Sequence, residues 1–239
     1  MRHWKISAAS IAFFFVVFSP MPVSADDPYT QTYVILINGI KSGVETVTEE
    51  IDRSGNIIST SEHELFLDDG SAKNHMVFST RMVLSKGAKN IRTYVCQYKT
   101  GQSGDSYEVS IQNGRITRVL SRNGQPGVVV SPFMSNMVIV DFNVYHHYEY
   151  LLRRYDRRKK GIQDFSNYIP VIGNDIPIKV TWIGDERLIF GEKSIEASRF
   201  IVELANIHAA TLFVDKDNRL VFLENPAQEL RVIREDLLP

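Results

Sequence analysis

The 239-residue chain has one cysteine, Cys96. An internal disulfide is therefore excluded, and the fold must be held by its core and its hydrogen bonds. Cys96 sits in "TYVCQY", a strand-like setting without a neighbouring histidine or basic cluster, so it reads as a packing residue and not as a reactive thiol. Excess charge of either sign is also missing. The formal charge is −1, and without Arg2 and Lys5 it becomes 25 basic against 28 acidic side chains. Such a chain lacks the basic field that dominates nucleic-acid affinity, which excludes that class of partner. Catalytic signatures are missing too: there is no G-x-S-x-G, H-E-x-x-H, P-loop or G-x-G-x-x-G. "FLDDGS" (66–71) and "VDKDNR" (214–219) gather carboxylates but read as hairpin tips. The second has neither the sixth-position glycine nor the twelfth-position glutamate of a calcium loop.

Long apolar runs are scarce as well. The charge-free stretch "ISAASIAFFFVVFSP" is shorter than the roughly 20 residues of a membrane-spanning helix. It follows the basic start "MRHWK" and precedes "MPVSA", with small residues at Ser24 and Ala25. This is the layout of a secretory signal over residues 1–25, and it leads to the expectation of an exported protein, periplasmic or extracellular. No cysteine follows the apolar run to accept a lipid. The mature chain, 26–239, has no repeat, no low-complexity tract and no charged linker, and is expected to form a single β-rich domain.

What is present is mostly a period of two. In "SYEVSIQNGRITRVL", Tyr107, Val109 and Ile111 share a face, and Asn113-Gly114 supplies a tight hairpin turn. Further turns are expected at Ser54-Gly55-Asn56, Lys86-Gly87, Gly184-Asp185 and Asp215 to Asn218. "ELRVIRED" reads as a last strand or a frayed end. Short strands at this spacing predict a mainly β fold: a curved antiparallel sheet or half-open barrel. One principal helix is expected at about 142–159, with Asp141 or Asn143 as its cap and Gly161 at its stop. Phe142, Tyr145, Tyr148, Leu152 and Tyr155 form its apolar stripe.

That helix lies in the densest stretch of the chain, "YHHYEYLLRRYDRRKK" (145–160). His146 and His147 are adjacent, so on a helix they point about 100° apart instead of sharing a metal in the i, i+4 manner. Glu149 shares a face with His146, which leaves two ligands at most unless His63, His75 or His208 joins them. No metal site and no cofactor are expected. Glu62, His63 and Glu64 resemble an acid–base triplet, but alternation along a strand sends His63 to the face opposite both carboxylates. No catalytic residue is assigned. The basic run "RRYDRRKK" reads as a solvated helix end, with contact to an anionic membrane surface as the alternative.

Two segments carry a resemblance: "KKGIQDFSNYIPVIGNDIPIKVTWIGDERL" and "ASRFIVELANIHAATLFVDKDNRLVFLENPAQELRVIRE", together with "NGIKSGVETVTEEID" near the start. A strand with a proline, a glycine–acid turn and a "VD-x-D-x-R-L" hairpin resemble exported bacterial β-rich proteins of unknown function. That plan is similar to the periplasmic lipoprotein carriers, whose half-open barrel holds acyl chains under a helical lid. The resemblance implies a non-enzymatic protein that binds a lipid or other apolar or amphiphilic molecule in the concavity of a curved sheet. Lining residues are then expected from the helix (Phe142, Tyr145, Tyr148, Leu152, Tyr155) and from the sheet (Phe78, Met82, Trp182, Phe200). Two other readings stay open. One is a cell-envelope scaffold with a filled core, which recruits an envelope protein by strand addition. The other is a hydrolase centred on His63 or the 146–149 cluster.

Overall fold

The computed structural model describes residues 28–68, 73–88, 90–100, 103–122 and 125–238. The expected signal segment, residues 1–25, lies outside the described residues, as does the tip of the "FLDDGS" hairpin. Fifteen strands among the described residues form one sheet. They are β1 (Tyr29–Ile37), β2 (Ile40–Ile51), β3 (Ile57–Asp68), β4 (Lys73–Leu84), β5 (Ile91–Thr100), β6 (Ser103–Gln112), β7 (Arg115–Arg122) and β8 (Gln125–Pro132). There follow β9 (Met137–Val138), β10 (Ile162–Ile169), β11 (Asn174–Phe190), β12 (Lys193–Leu204), β13 (Ile207–Val214), β14 (Leu220–Asn225) and β15 (Leu230–Arg234). Among the described residues the one α-helix, α1 (His147–Arg154), lies between β9 and β10.

The strand order is two meanders joined back to back. β1 to β8 run outward one way, β15 back to β9 run outward the other way, and β1 pairs with β15 at the join. "ELRVIRED" thus supplies a central strand. Every neighbouring pair is antiparallel except the short β9–β10 pair. The mainly β class, the curved antiparallel sheet and the single helix are as the sequence implied, and the sheet stays open instead of closing into a barrel.

Alternation sets which side is core. Along β3, Ser59, Ser61, His63 and Leu65 are buried and Thr60, Glu62 and Glu64 are exposed, so His63 does face away from both carboxylates. Neighbouring strands keep the register: Phe78, Thr80 and Met82 on β4 and Tyr94 and Cys96 on β5 continue the same buried face. Turns form at Asp52–Asn56, Lys86–Ala88, Asn113–Gly114 and Asp215–Asn218, where the sequence places them.

Gly184-Asp185 does not turn. β11 runs on to Phe190, and the register against β12 shifts between Trp182 and Gly184, so Gly184 (φ +146°) absorbs a β-bulge. A glycine within an alternating run serves a bulge as readily as a turn. The chain reverses instead at Gly191-Glu192.

The helix is also shorter than 142–159. Residues 141–146 are turns, because the Phe142 N–H donates to Asp141 Oδ1 and the Val144 N–H to the Asp141 carbonyl. Neither Asp141 nor Asn143 caps α1; its cap position is His146, without a side-chain bond. The helix ends at Tyr155, which is extended, six residues before Gly161.

The sheet curls until its two edges approach. The chain passes from β8 to β9 through only residues 133–136, a link that spans at most about 18 Å. Arg118 on β7 ties the two arms of the sheet together by donating to the carbonyls of Pro170 (2.8 Å) and Val171 (3.4 Å), just beyond β10. Gly173 (φ +82°) leaves room for that guanidinium, since a Cβ there would meet Arg118 Nη1 at 2.5 Å. We expect Arg118→Ala and Gly173→Ala each to destabilise the protein by roughly 1–3 kcal/mol, the range for charge-assisted bonds or left-handed strain. Urea unfolding checks this; unchanged midpoints in both variants would remove the latch.

Candidate functional site: a polar plug in the concave face

Residues 137–161 cross the concave face as a plug, and four buried carboxylates fix it there. Two come from β2. Glu45, Val47 and Glu49 alternate onto the inner face, so this strand sends acids inward on both sides of a valine. Glu45 Oε2 accepts the Tyr145 N–H (3.1 Å), and Oε1 accepts the His146 N–H (3.3 Å) and its Nδ1–H. A sheet carboxylate therefore serves the backbone just ahead of α1, where negative charge favours the helix dipole. Glu49 accepts the Tyr150 hydroxyl (2.6 Å) and pairs with Arg153 (3.1 Å) and Arg219 (2.5 Å).

The other two carboxylates come from the plug. Glu149 accepts the Tyr33 hydroxyl (2.5 Å), the Leu220 N–H (3.0 Å) and Arg219 (3.3 Å). Asp141 accepts the hydroxyls of Tyr94 (2.7 Å) and Tyr107 (2.6 Å). Each acid thus finds the donors that a buried charge requires.

Titration behaviour follows from this packing. Burial alone would raise Glu45, but His63 and His146 beside it hold its carboxyl below the usual range. Burial pushes His63 down to about 4 and His147 well below the usual imidazole value. His147 is a neutral tautomer: its Nδ1 accepts the Asp141 N–H (3.3 Å), and its ring stands edge-on to Tyr94. Burial raises Asp141, which its two tyrosine hydroxyls only partly offset.

Two chemical constellations sit in this plug. Ser59 Oγ lies 3.3 Å from His146 Nε2, whose Nδ1 bonds Glu45, which is the order of a nucleophile, a base and an orienting acid. All three are wholly buried, so the hydroxyl has no path to a substrate. Glu45, His63 and His146 also have the donor set of a transition-metal centre. Here the carboxylate bonds directly to His146 and lies 3.2 Å from His63 Nε2, which is itself 2.8 Å from Ser61 Oγ. The facing atoms bond one another, while His63 Nδ1 and, beside the cluster, His147 Nε2 are buried without a partner among the described residues.

The residues expected to line one cavity divide into three places. Phe142 (52% exposed), Tyr145 (buried) and Tyr148 (half-buried) share a cleft of about 120 Å³ beside the plug. Its walls include Ile169, Leu204, Ala210, Leu223 and Leu230, with Asp141, Asn143, Asn167, Asn225 and Gln228 as polar lining. Tyr155 packs edge-on to Phe200 (5.4 Å), and its hydroxyl accepts the Trp182 N–H (3.4 Å). Leu152 is buried in the core, while Phe78 and Met82 fill β4, with Phe78 edge-on to His63. The basic run is divided as well. Arg153 turns inward, Arg154 donates to the Met137 carbonyl, Arg157 lies over Phe200, and Arg158 stays exposed against Asp156.

Sequence reasoning missed Glu45, Glu49, Asp141 and Glu149 as anchors. Its available signal was Glu45 and Glu49 sharing the parity of Val47, an acidic pair on a core face.

No family model and no curated protein matches the chain. A solved structure of a DUF1089-family protein from Pseudomonas aeruginosa is similar over 77% of this chain and 90% of that one. The two share 12% identity, with a TM-score of 0.48. No residue role is carried across from it.

Acid should loosen the plug. The unfolded chain takes up a proton at His63 near pH 6.5, and the folded one only near 4, so stability falls as pH falls through that window. Glu45 and His147 act in the same direction; Asp141, which keeps its proton to higher pH when folded, acts against them. His63 alone accounts for on the order of 3 kcal/mol. Melting scans from pH 7 to 4 should show a steady fall in Tm that His63→Gln flattens; an equal fall in both proteins contradicts the assignment.

Proposed function

We propose that this is an exported, non-catalytic protein that binds the apolar end of an amphiphilic molecule in the cleft beside Phe142, Tyr145 and Tyr148. One observation carries this reading. The plug leaves a cleft at its side whose walls are more apolar than polar, with Asp141, Asn143, Asn167, Asn225 and Gln228 among the lining. Apolar walls with few polar contacts are the usual composition of a small-molecule site. Phe142 adds a half-exposed aromatic ring, which a bound apolar chain would cover.

Size sets the ligand class. About 120 Å³ is close to the roughly 150 Å³ of an engineered apolar cavity that admits benzene. The cleft thus suits a short apolar segment, such as the terminal part of an acyl chain, with the polar head left near the amides. A whole acyl chain would need the space now filled by Tyr33, Met82, Tyr94 and Phe200, which are all fully buried core. Binding is reversible burial of apolar surface, without bond chemistry, and each buried methylene contributes about 0.8 kcal/mol. Four or five methylenes then support dissociation constants of roughly 1 mM, tightened by contacts to the head group.

Calorimetric titration with dodecylphosphocholine, below its micelle concentration, tests this reading. The protein should bind one molecule, and Leu204→Trp, which fills the cleft from its half-buried wall, should weaken binding at least tenfold. Native mass spectrometry of gently extracted protein should also show a co-purified amphiphile. Unchanged binding in Leu204→Trp, with protein free of ligand at its own mass, would refute the cleft as the site.

A further inference from the structure

The edge strand β8 carries a second, independent surface. Its sequence, "QPGVVVSP", has no charged residue, and Val128 (64%), Val129 (40%) and Val130 (52%) are all exposed. Exposed edge strands usually carry charge to prevent pairing with other chains. This one carries valines between two prolines.

Backbone polarity along β8 follows from one bond. The Phe133 N–H donates to the Gly114 carbonyl directly beyond the Pro132–Arg115 pair. Alternation then points the backbone groups of Val129 and Ser131 towards β7, and those of Pro126, Val128, Val130 and Pro132 outward. The free edge offers two N–H donors, Val128 and Val130, with proline ending the donor window on each side.

We propose that β8 pairs with β8 of a second copy of this chain, antiparallel, about a two-fold axis at Val129. The segment 126–132 reads nearly the same in both directions: Pro, small, Val, Val, Val, small, Pro. Centred on Val129, Val128 faces Val130 of the second copy, and the two exchange N–H···O bonds in both directions. All four outward donors find carbonyls, proline faces proline, and Gly127 faces Ser131. On the convex side four valines meet in one cluster, beside Thr117 and Val119 of each β7. Shifting the register by one step places Val130 against Pro126 and breaks that cluster. A two-fold contact must be self-complementary, and this strand is. No like charges are brought together by it. A lone strand pair buries less than the roughly 1,000 Å² of a stable interface, so the dimer is weak and concentration-dependent.

Cross-linking tests the register. In this pairing the two Val129 Cα atoms form a non-hydrogen-bonded pair about 4.5 Å apart, within disulfide reach. The two Val128 positions lie diagonally, about 7–8 Å apart and outside that reach. Under mild oxidation Val129→Cys should give a covalent dimer and Val128→Cys should give several-fold less. Cys96 is buried and does not compete. Sedimentation of the unmodified protein from about 10 μM to 1 mM should show reversible dimer, as suits an interface of this size. Val130→Pro removes an outward donor and no bond to β7, so it should weaken the dimer at least tenfold at unchanged Tm. No covalent dimer from Val129→Cys, equal cross-linking by Val128→Cys, or monomer throughout the concentration range would each overturn the proposal.

Discussion

A carboxylate removed from water must be given donors, and this constraint shapes the whole concave side of the molecule. Glu45 and Glu49 on β2 face inward at the centre of a large sheet, where the neighbouring strand β3 offers Glu45 the imidazole of His63 (3.2 Å) and further donors must come from elsewhere. Their other partners come from the plug and from Arg219 ahead of β14, about a hundred residues and more further along the chain. Asp141 and Glu149 return the same demand from the plug to the tyrosines of β1, β5 and β6. The sheet cannot bury its acids without the plug, nor the plug its own without the sheet. Removing one partner of such a pair costs far more than the pair contributes net, so the network chiefly fixes position. Tyr33 and Glu149, or Tyr94 and Asp141, fit in only one seating of the plug.

That seating decides what the concavity can do. A lid over a lipid cavity would contact the sheet through an apolar face that can lift off. This plug contacts it through charged hydrogen bonds that would be left unpaired on opening. The interior between them is occupied by the protein's own rings and aliphatic chains. Free volume beside the plug lies at its flank, between residues 140–148 and β10 to β15, and the proposed binding role rests there. The same rigidity argues against hydrolysis at Ser59, because His146 and Glu45 already have their bonds within the core.

The β content was legible in the sequence because alternation and turn chemistry are local. Asn113-Gly114 and Asp215 to Asn218 each specify a reversal within a few residues. Gly184 misled because a glycine permits a bulge and a turn alike, and only pairing with β12 decides between them. The helix is shorter than its stripe, which continues through Phe142 and Tyr155, because Asp141 folds the preceding residues into turns by bonds to the Phe142 and Val144 N–H groups and Tyr155 is extended, its hydroxyl engaging Gly161 and Trp182. The anchors were missed because their partners are distant in sequence. An acid at the parity of a valine looks like a strand facing solvent until its partner is known, and Glu45 meets His146 across 101 positions. The dense segment around His146 stands out by composition, and its histidine and acid bond to groups of the core.

Amide hydrogen exchange of the native protein measures the seating directly. If the carboxylates hold the plug as part of the core, amides of residues 145–152 should exchange as slowly as those of β2 and β5, through the same cooperative unfolding. Exchange of the plug within seconds while those strands stay protected would show a segment that opens independently, and would contradict the account.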